Sequence, residues 1–265
     1  MSNLKTKLYH SVERSDGKRF ELPIQGNSIL QFGADGTPSL VPSVAAASVK
    51  GLDLLESYTI TESEAINGVE SLRVVGDQTA RFVPGVKFTI VGGSEALNNN
   101  KVFEVAGSYY GEIDTDGNGV TDFGVAGSTT IVVKVSADHP VVTTTTDHGA
   151  IHIMDLLLKP PAGQVVRVSS AVLRTVTVSG TAANDGDFEV TAYTQSAAGN
   201  PADGTILADT TFAPGADATT NTLGVMASVA EILVTNDKPL YFLRNSLDTA
   251  ATANTVDLLL DGQAI

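Results

Sequence analysis

The chain has 265 residues, 42% of them hydrophobic and 6% aromatic, and its 30 acidic residues outnumber 16 basic ones to give a formal net charge of −14. This length and hydrophobic share predict a buried core in one large domain or two ordinary ones, and we favour two. The charge argues against a nucleic-acid or anionic-membrane surface, because phosphate contacts need clustered Lys and Arg. Cysteine is absent, which excludes disulfides, thiolate metal sites and a cysteine nucleophile.

The N-terminal 50 residues differ in pattern from the rest. Short alternating pieces, "KRFELPI" and "SILQF", are separated by "SDGK", "QGNS" and "GADGTPS", which is typical of short strands between turns. Each piece is too short to bury much surface against itself. Two interpretations stay open for residues 1–50: an extended arm that binds a partner, or two hairpins packed on the main body.

Residues 51–153 are predicted to form a small β-barrel or sandwich. The pieces "SYTIT", "ESLRVV", "ARFVPGVKFTIVG", "KVFEVAGSYY", "TTIVVKVS" and "GAIHI" are rich in β-branched residues and lie between Gly, Asn and Asp turns. They predict about six strands. Helical periodicity is confined to "VAAASVKGLDLLE", so the fold class is predicted to be all-β.

Residues 154–265 carry a second set of strand-like pieces. These are "MDLLLK", "QVVRVSSAVLRTVTV", "DFEVTAYT", "VAEILVT", "PLYFLRN" and "TVDLLLDG". Long polar stretches such as "TQSAAGNPADGT" and "TFAPGADATTNT" separate them. This spacing predicts a jelly-roll-like β-sandwich with long connections.

The stretch "EIDTDGNGVTDFG", residues 112–124, has the spacing of a calcium-binding loop. Oxygen ligands from Asp114, Asp116, Asn118 and Asp122, with the backbone carbonyl of Val120, fill five ligand positions of such a loop. The last position departs from the pattern, because Val125 stands where a bidentate glutamate is expected, so Glu112 or water would complete the shell. A structural Ca²⁺ site and an ordinary Asx-rich turn therefore both remain open.

The other candidate metal-binding or catalytic residues have patterns that are also typical of ordinary surface or turn positions. His148 and His152 would lie roughly 13 Å apart along a strand, too far to share one ion, so surface or interdomain histidines are expected. Asp185 and Asp187 lie in turn-forming text, "ANDGDFE", where acidic residues are common. No G-x-S-x-G elbow, P-loop, dinucleotide-binding glycine motif or H-E-x-x-H motif is present, which favours a non-enzymatic protein.

The chain resembles a β-rich module of structural proteins from tailed bacteriophages. The matching text runs from Leu72 to Tyr110 and from Ser128 to Ile153. It includes a "GD" turn at Gly76, the "F-x-P-G-x-x-F-T-I" run that begins at Phe82, an Asn-rich turn before "VFEVA", and "TTIVV" followed by a segment ending in "DHGAI". In that module the hairpin before "TTIVV" has a short glycine turn, so the resemblance implies that the calcium-like loop is an insertion.

The resemblance implies a virion protein made in the host cytoplasm and displayed on the particle surface. The N-terminal text also resembles arms of capsid and tail proteins, and the C-terminal part resembles decoration and fibre jelly rolls in architecture. A capsid decoration or cement protein is expected, bound through its arm to the major capsid protein or other virion proteins, as a homo-oligomer such as a trimer. The alternatives are a head or tail fibre that binds a receptor or glycan through loops near Asn200 and Asp217, and a secreted carbohydrate-binding or glycan-processing module.

Overall fold

The computed structural model is all-β, as predicted. It describes residues 9–13, 19–23, 28–32, 38–42, 48–53, 56–66, 69–93, 98–142, 149–179, 186–200, 205–212, 223–225, 227–228, 231–246 and 253–264. Among these residues, no helix combines the length and the apolar character needed to cross a bilayer.

The described part of the chain contains nineteen strands. They are β1 (Tyr9–Glu13), β2 (Arg19–Pro23), β3 (Ser28–Phe32), β4 (Pro38–Pro42), β5 (Ser48–Asp53), β6 (Tyr58–Ile66), β7 (Val69–Val75), β8 (Lys87–Val91), β9 (Val102–Tyr110), β10 (Ser128–Val133), β11 (Ala150–Leu158), β12 (Val166–Ser179), β13 (Gly186–Ala192), β14 (Thr205–Phe212), β15 (Leu223–Val225), β16 (Ala227–Ser228), β17 (Ile232–Val234), β18 (Leu240–Ser246) and β19 (Ala253–Ala264).

Strands β6 to β11 form a closed barrel. The order β11-β6-β7-β10-β9-β8 is closed by pairing of β8 with β11, where Phe88 lies opposite Ile153. Alternate residues of each strand point inward and fill the centre with apolar side chains. The buried cluster consists of Ile60, Leu72, Val74, Phe82, Phe88, Ile90, Phe103, Val105, Ile131, Val133, Val142, Ile151 and Ile153.

The remaining long strands form two sheets that share a second core. One sheet continues from β11 through β18, β13 and β14 to β16, and the other has the order β15-β12-β19-β5, with β17 also paired to β12. Phe188 of β13 and Phe242 of the neighbouring strand β18 stack on the core side of the first sheet, with ring centroids 5.6 Å apart. Both sheets contribute to one apolar cluster: Leu52, Leu157, Val166, Val168, Ala171, Phe188, Val190, Ala192, Ile232, Val234, Leu240, Phe242, Leu258 and Leu260.

A single strand, β11, belongs to both the barrel and the two-sheet unit. Its first half, Ala150–Met154, pairs with β8, and its second half pairs with β18 from Asp155 onward. The predicted division between residues 153 and 154 therefore falls inside a continuous strand. Strand β5 also connects the two units. It precedes the barrel in sequence but pairs with β19 in the two-sheet unit.

The strand boundaries differ from the predicted ones where Pro or Gly residues interrupt an apolar stretch of sequence. The run "ARFVPGVKFTIVG" forms a turn followed by the short β8, since Pro84 lacks an N–H group and Gly85 has a φ of +90°. The helical pattern around "SVKGLD" is strand β5, because pairing with β19 buries Leu52 in the core. Strands β14, β15 and β16 lie in or beside stretches whose polar composition predicts connections.

The segment after β13 forms a second contact between the two units. The carbonyl of Val102 accepts a hydrogen bond from the Gln195 amide at 3.3 Å, and Lys87 donates to the Gln195 carbonyl oxygen at 2.8 Å. Gly199 is buried there with a φ of +59°, and a Cβ atom at this position would lie 2.4 Å from Cγ of Pro140. This close approach makes Gly199 a required glycine.

We expect Gly199→Ala to destabilise the protein by about 2–4 kcal/mol. The positive φ costs about 1 kcal/mol, and the overlap with Pro140 adds about 1–3 kcal/mol. The matched control is Gly163→Ala, since Gly163 has a φ of +81° but no atom within 4 Å of the position that a methyl group would take. Urea unfolding measures both variants, and equal losses would contradict the close packing at Gly199.

Candidate functional site

The calcium-like loop joins strands β9 and β10 at one end of the barrel. An isolated antiparallel bridge between Ile113 and Phe123 closes its base. The ring of Phe123 packs edge-on against Tyr109 with centroids 5.4 Å apart. Gly124 completes the closure, because a Cβ atom at this position would lie 2.2 Å from the Gly111 carbonyl oxygen. The loop is therefore a hairpin tip with a fixed base.

Inside the loop, short side chains hold the backbone in a curl. The two carboxylate oxygens of Asp114 accept hydrogen bonds from the N–H groups of Gly117 and Gly119, each at 2.7 Å. The Asn118 side-chain oxygen accepts from the Val120 N–H at 2.7 Å. Because backbone N–H groups stabilise the ionised carboxylate, with Gly119 the largest contributor, the pKa of Asp114 is lowered. Such internal bonds are also expected of a turn without a metal.

Three carboxylates meet on the exposed face of this curl. Asp114, Asp116 and Asp122 each place an oxygen within 4.8 Å of the other two. Asp122 is oriented by hydrogen bonds from the N–H and hydroxyl groups of Thr115. A cluster of hard oxygen donors of this size suits Ca²⁺, so the residues present fit the ion chemically. The side chain of Glu112 lies 3.5 Å from the Thr121 hydroxyl, beside the loop.

A second polar cluster lies where the barrel meets the two-sheet unit. Its centre is Arg244 of β18, whose side chain is fully buried. Its Nε donates to the carbonyl of Asp53 at 2.8 Å, and its Nη1 donates to the carbonyl of Ile153 at 3.0 Å. The guanidinium carbon also lies 5.2 Å from the centroid of the Phe242 ring. Arg244 thus connects β5, β11 and β18.

Two carboxylates and a second arginine surround Arg244. Asp155 lies between the two guanidiniums, 2.8 Å from Nη1 of Arg244 and 2.6 Å from Nη2 of Arg81. Glu56 accepts two hydrogen bonds from Arg81, each at 2.5 Å. Burial alone would raise the pKa of Glu56, but hydrogen bonds from Arg81 and Tyr58, with the charges of Arg81 and Arg244, lower it. Two guanidiniums and two carboxylates give the cluster a formal charge of zero.

Neutral side chains complete the cluster. The Tyr58 hydroxyl donates to Glu56 at 2.6 Å, and burial together with this acceptor raises the pKa of Tyr58. His152 is buried, and its Nδ1 lies 2.8 Å from the carbonyl of Arg244, so Nδ1 carries the proton and donates. Burial lowers the pKa of His152 and keeps the ring neutral.

Two clefts open onto this cluster, and Arg81 and Asp155 line both of them. The more polar cleft has a volume of about 460 Å³ and is lined by Gly51, Leu52, Asp53, Glu56, Tyr58, Arg81, Asp155 and Arg244. The other, of about 420 Å³, is lined by Pro84, Gly85, Val86, Lys87, Ile153, Met154, Leu156 and Tyr241 together with Arg81 and Asp155. Both are concave sites at a junction between structural units, a common location for ligands.

The structure separates the residues singled out in the sequence. Asp114, Asp116 and Asp122 form one cluster in the calcium-like loop. His152 instead contacts Arg244 in the polar cluster where the barrel meets the two-sheet unit. His148 and Asp185 lie outside the described residues, and Asp187 has a described backbone opposite Thr211 and Ser246. Sequence reasoning missed Glu56, Arg81 and Arg244. The sequence did contain an indication for Arg244, which directly follows the apolar run "LYFL". An arginine that continues a buried strand needs a buried acceptor or counter-charge, so a polar partner could have been predicted.

Calcium is expected to stabilise the hairpin tip if the three carboxylates bind it. At a hundredfold excess of Ca²⁺ over its Kd, the free energy of unfolding should rise by about 2.7 kcal/mol. The variant carrying Asp114→Ala and Asp116→Ala should lose this gain, whereas Asp138→Ala, an exposed carboxylate elsewhere, should keep it. Thermal unfolding with calcium and with chelator gives the comparison, and equal Tm values for the unmodified protein in both buffers would leave the loop an ordinary turn.

We expect His152 to make stability fall in mild acid. Below about pH 6.5 the imidazole takes up a proton in the unfolded chain but not in its buried site, so the unfolded state binds more protons and stability drops as the pH is lowered. The slope is at most about 1.4 kcal/mol per pH unit. His152→Asn retains an N–H donor for the Arg244 carbonyl and should show a smaller slope between pH 7 and 5.5 in urea unfolding; an unchanged slope would rule out this origin.

Comparisons with protein families, with curated proteins and with solved structures find no match. Support for a function therefore comes from the residues and geometry of this chain.

Proposed function

We propose that the chain is a non-enzymatic structural protein of a bacteriophage virion, a decoration protein that cements the capsid surface. The observation that carries the proposal is the pairing of its N-terminal strands. Strand β1 pairs with β2 and β3 with β4, and among the described strands these two hairpins join neither main sheet. The described strands of residues 1–50 are therefore hairpins and not an extended chain. The proposal takes these hairpins, which lie outside the main sheets, as the attachment arm.

The hairpins offer a physical route to attachment. Each two-stranded hairpin has outer edges whose N–H and C=O groups lack a strand partner among the described strands, and an isolated hairpin of this size is marginally stable in water. Adding a strand from a neighbouring protein satisfies these groups and stabilises the hairpin. The partner we propose is the major capsid protein or another virion protein.

The body of the molecule suits a projecting role. The closed barrel uses all its strand edges internally, and the two-sheet unit, which we propose to be jelly-roll-like, is fused to it through β11. A homo-oligomer such as a trimer would protect the outer edges of the two-sheet unit. In this arrangement each arm adds one weak contact, and several arms on one oligomer raise the total affinity through multivalency. Calcium at the Asp114 loop would stiffen an exposed tip.

Removal of the arm tests the proposal directly. Deletion of residues 1–42 leaves β5 in place and should abolish binding to expanded empty capsids of the phage that encodes the chain. The Tm of the truncated protein should stay within a few degrees of the full chain, because both cores lie outside the deleted segment. The measurements are co-sedimentation with capsids and calorimetry of the capsids with and without bound protein.

Three outcomes have different meanings. Loss of capsid binding with a folded body supports the arm. Full binding by the truncated protein would overturn the arm, and binding of the intact protein to host cells with none to capsids would replace decoration by a fibre function.

A further inference from the structure

The exposed tip of the β9–β10 hairpin contains an asparagine followed by a glycine. Asn118 and Gly119 are both exposed to solvent. In such a pair the backbone nitrogen of the glycine can attack the asparagine side-chain amide, because glycine has no Cβ atom to obstruct the approach. A second pair, Asn67 and Gly68, lies outside the described residues. The surroundings of the reacting atoms are therefore described at Asn118.

The loop polarises the side-chain amide of Asn118. The N–H group of Val120 donates to the amide oxygen at 2.7 Å. This oxygen gains negative charge when a nucleophile adds to Cγ, so the donor stabilises the tetrahedral intermediate in the way that an oxyanion hole does. The amide nitrogen donates to a carboxylate oxygen of Asp116 at 2.9 Å, which places a proton acceptor beside the leaving group. Both contacts favour loss of ammonia from Asn118.

A different carboxylate restrains the nucleophile. The N–H group of Gly119 donates to Oδ2 of Asp114 at 2.7 Å, while Oδ1 accepts from Gly117. The nitrogen must leave this hydrogen bond and lose its proton before it can attack. Hydrogen bonds to an ionised acceptor are stronger than neutral ones, so the nitrogen is released only in a minority of molecules. The loop thus combines an activated amide with a nucleophile held by Asp114.

We propose that Asn118 is a site of spontaneous deamidation whose rate is set by Asp114. The Gly119 nitrogen gives its proton to solvent and bonds to Cγ, the bond from Cγ to the amide nitrogen breaks, and ammonia leaves a cyclic imide. Water then opens the ring at either carbonyl, giving aspartate or isoaspartate. The product adds a negative charge beside Asp114, Asp116 and Asp122, and the isoaspartate form also inserts the Cβ atom into the loop backbone. The site is separate from the N-terminal hairpins and needs no metal.

The test follows the full chain in mildly alkaline buffer that contains a chelator and water enriched in heavy oxygen. The heavy oxygen labels carboxylates formed during the incubation, and peptide mapping separates Asn118 from Asn67. A synthetic peptide covering residues 111–124 is the unfolded reference. Asn118 should convert in the protein about tenfold more slowly than in the peptide, the factor expected for one hydrogen bond to a charged group.

Two matched substitutions identify the restraining group. Asp114→Ala frees the Gly119 nitrogen and should raise the rate at Asn118 about tenfold. Asp122→Ala removes the same charge from the same loop, but this carboxylate accepts from Thr115, so the rate should stay unchanged. Circular dichroism checks that both variants fold; if Asp114→Ala does not, the ratio of protein to peptide rates decides.

Several results would overturn the proposal. One is the absence of labelled product at Asn118 in the intact protein after about ten peptide half-lives, when about half of it should have converted. Conversion in the protein as fast as in the peptide would remove the restraint, and equal rates in folded Asp114→Ala and Asp122→Ala variants would remove the role of Asp114.

Discussion

The burial of the Arg244 guanidinium is the constraint on which the junction depends. A charge without solvent exposure requires nearby acceptors, and it finds them in the carbonyls of Asp53 and Ile153 and in the carboxylate of Asp155. These acceptors come from a strand before the barrel and from the strand shared by both units. Removing one partner of a buried ion pair typically costs about 3–5 kcal/mol, so the ends of these strands are held in one arrangement.

Strand β11 gives this junction its rigidity. Units joined by an exposed linker are expected to move relative to each other. Here the pairing partner changes from β8 to β18 along one continuous strand, β11. Hydrogen bonds that link Gln195 and Gly199 to Val102 also join the segment after β13 to the barrel. A third apolar cluster contains residues of both units and of the shared strand: Val102, Met154, Tyr193, Tyr241 and Leu243. The barrel and the two-sheet unit are therefore continuous in both backbone bonding and packing.

Local patterns predicted the class of structure better than its connections. The six strand-like pieces of residues 51–153 correspond to β6–β11, because β-branched residues between turn residues specify strands locally. Closure through β8 and β11 depends on pairing between residues far apart in sequence, which periodicity does not encode. The same limit applies to the junction, where Glu56, Arg81 and Arg244 have no shared motif. The spacing of Asp114, Asp116 and Asp122 did predict their proximity, because one short loop contains all three.

Under the proposed attachment through the N-terminal hairpins, the position of β5 has a mechanical consequence. Any tension on residues 1–42 enters the folded body at Ser48, where β5 is hydrogen-bonded to β19. Strand β19 is paired in turn with β12 from Ala253 to Ala264, the most extensive ladder in the described structure. A pull from the attachment point is thus distributed over this ladder and the core beneath it, while the barrel and its exposed Asp114 tip lie outside the direct line of load.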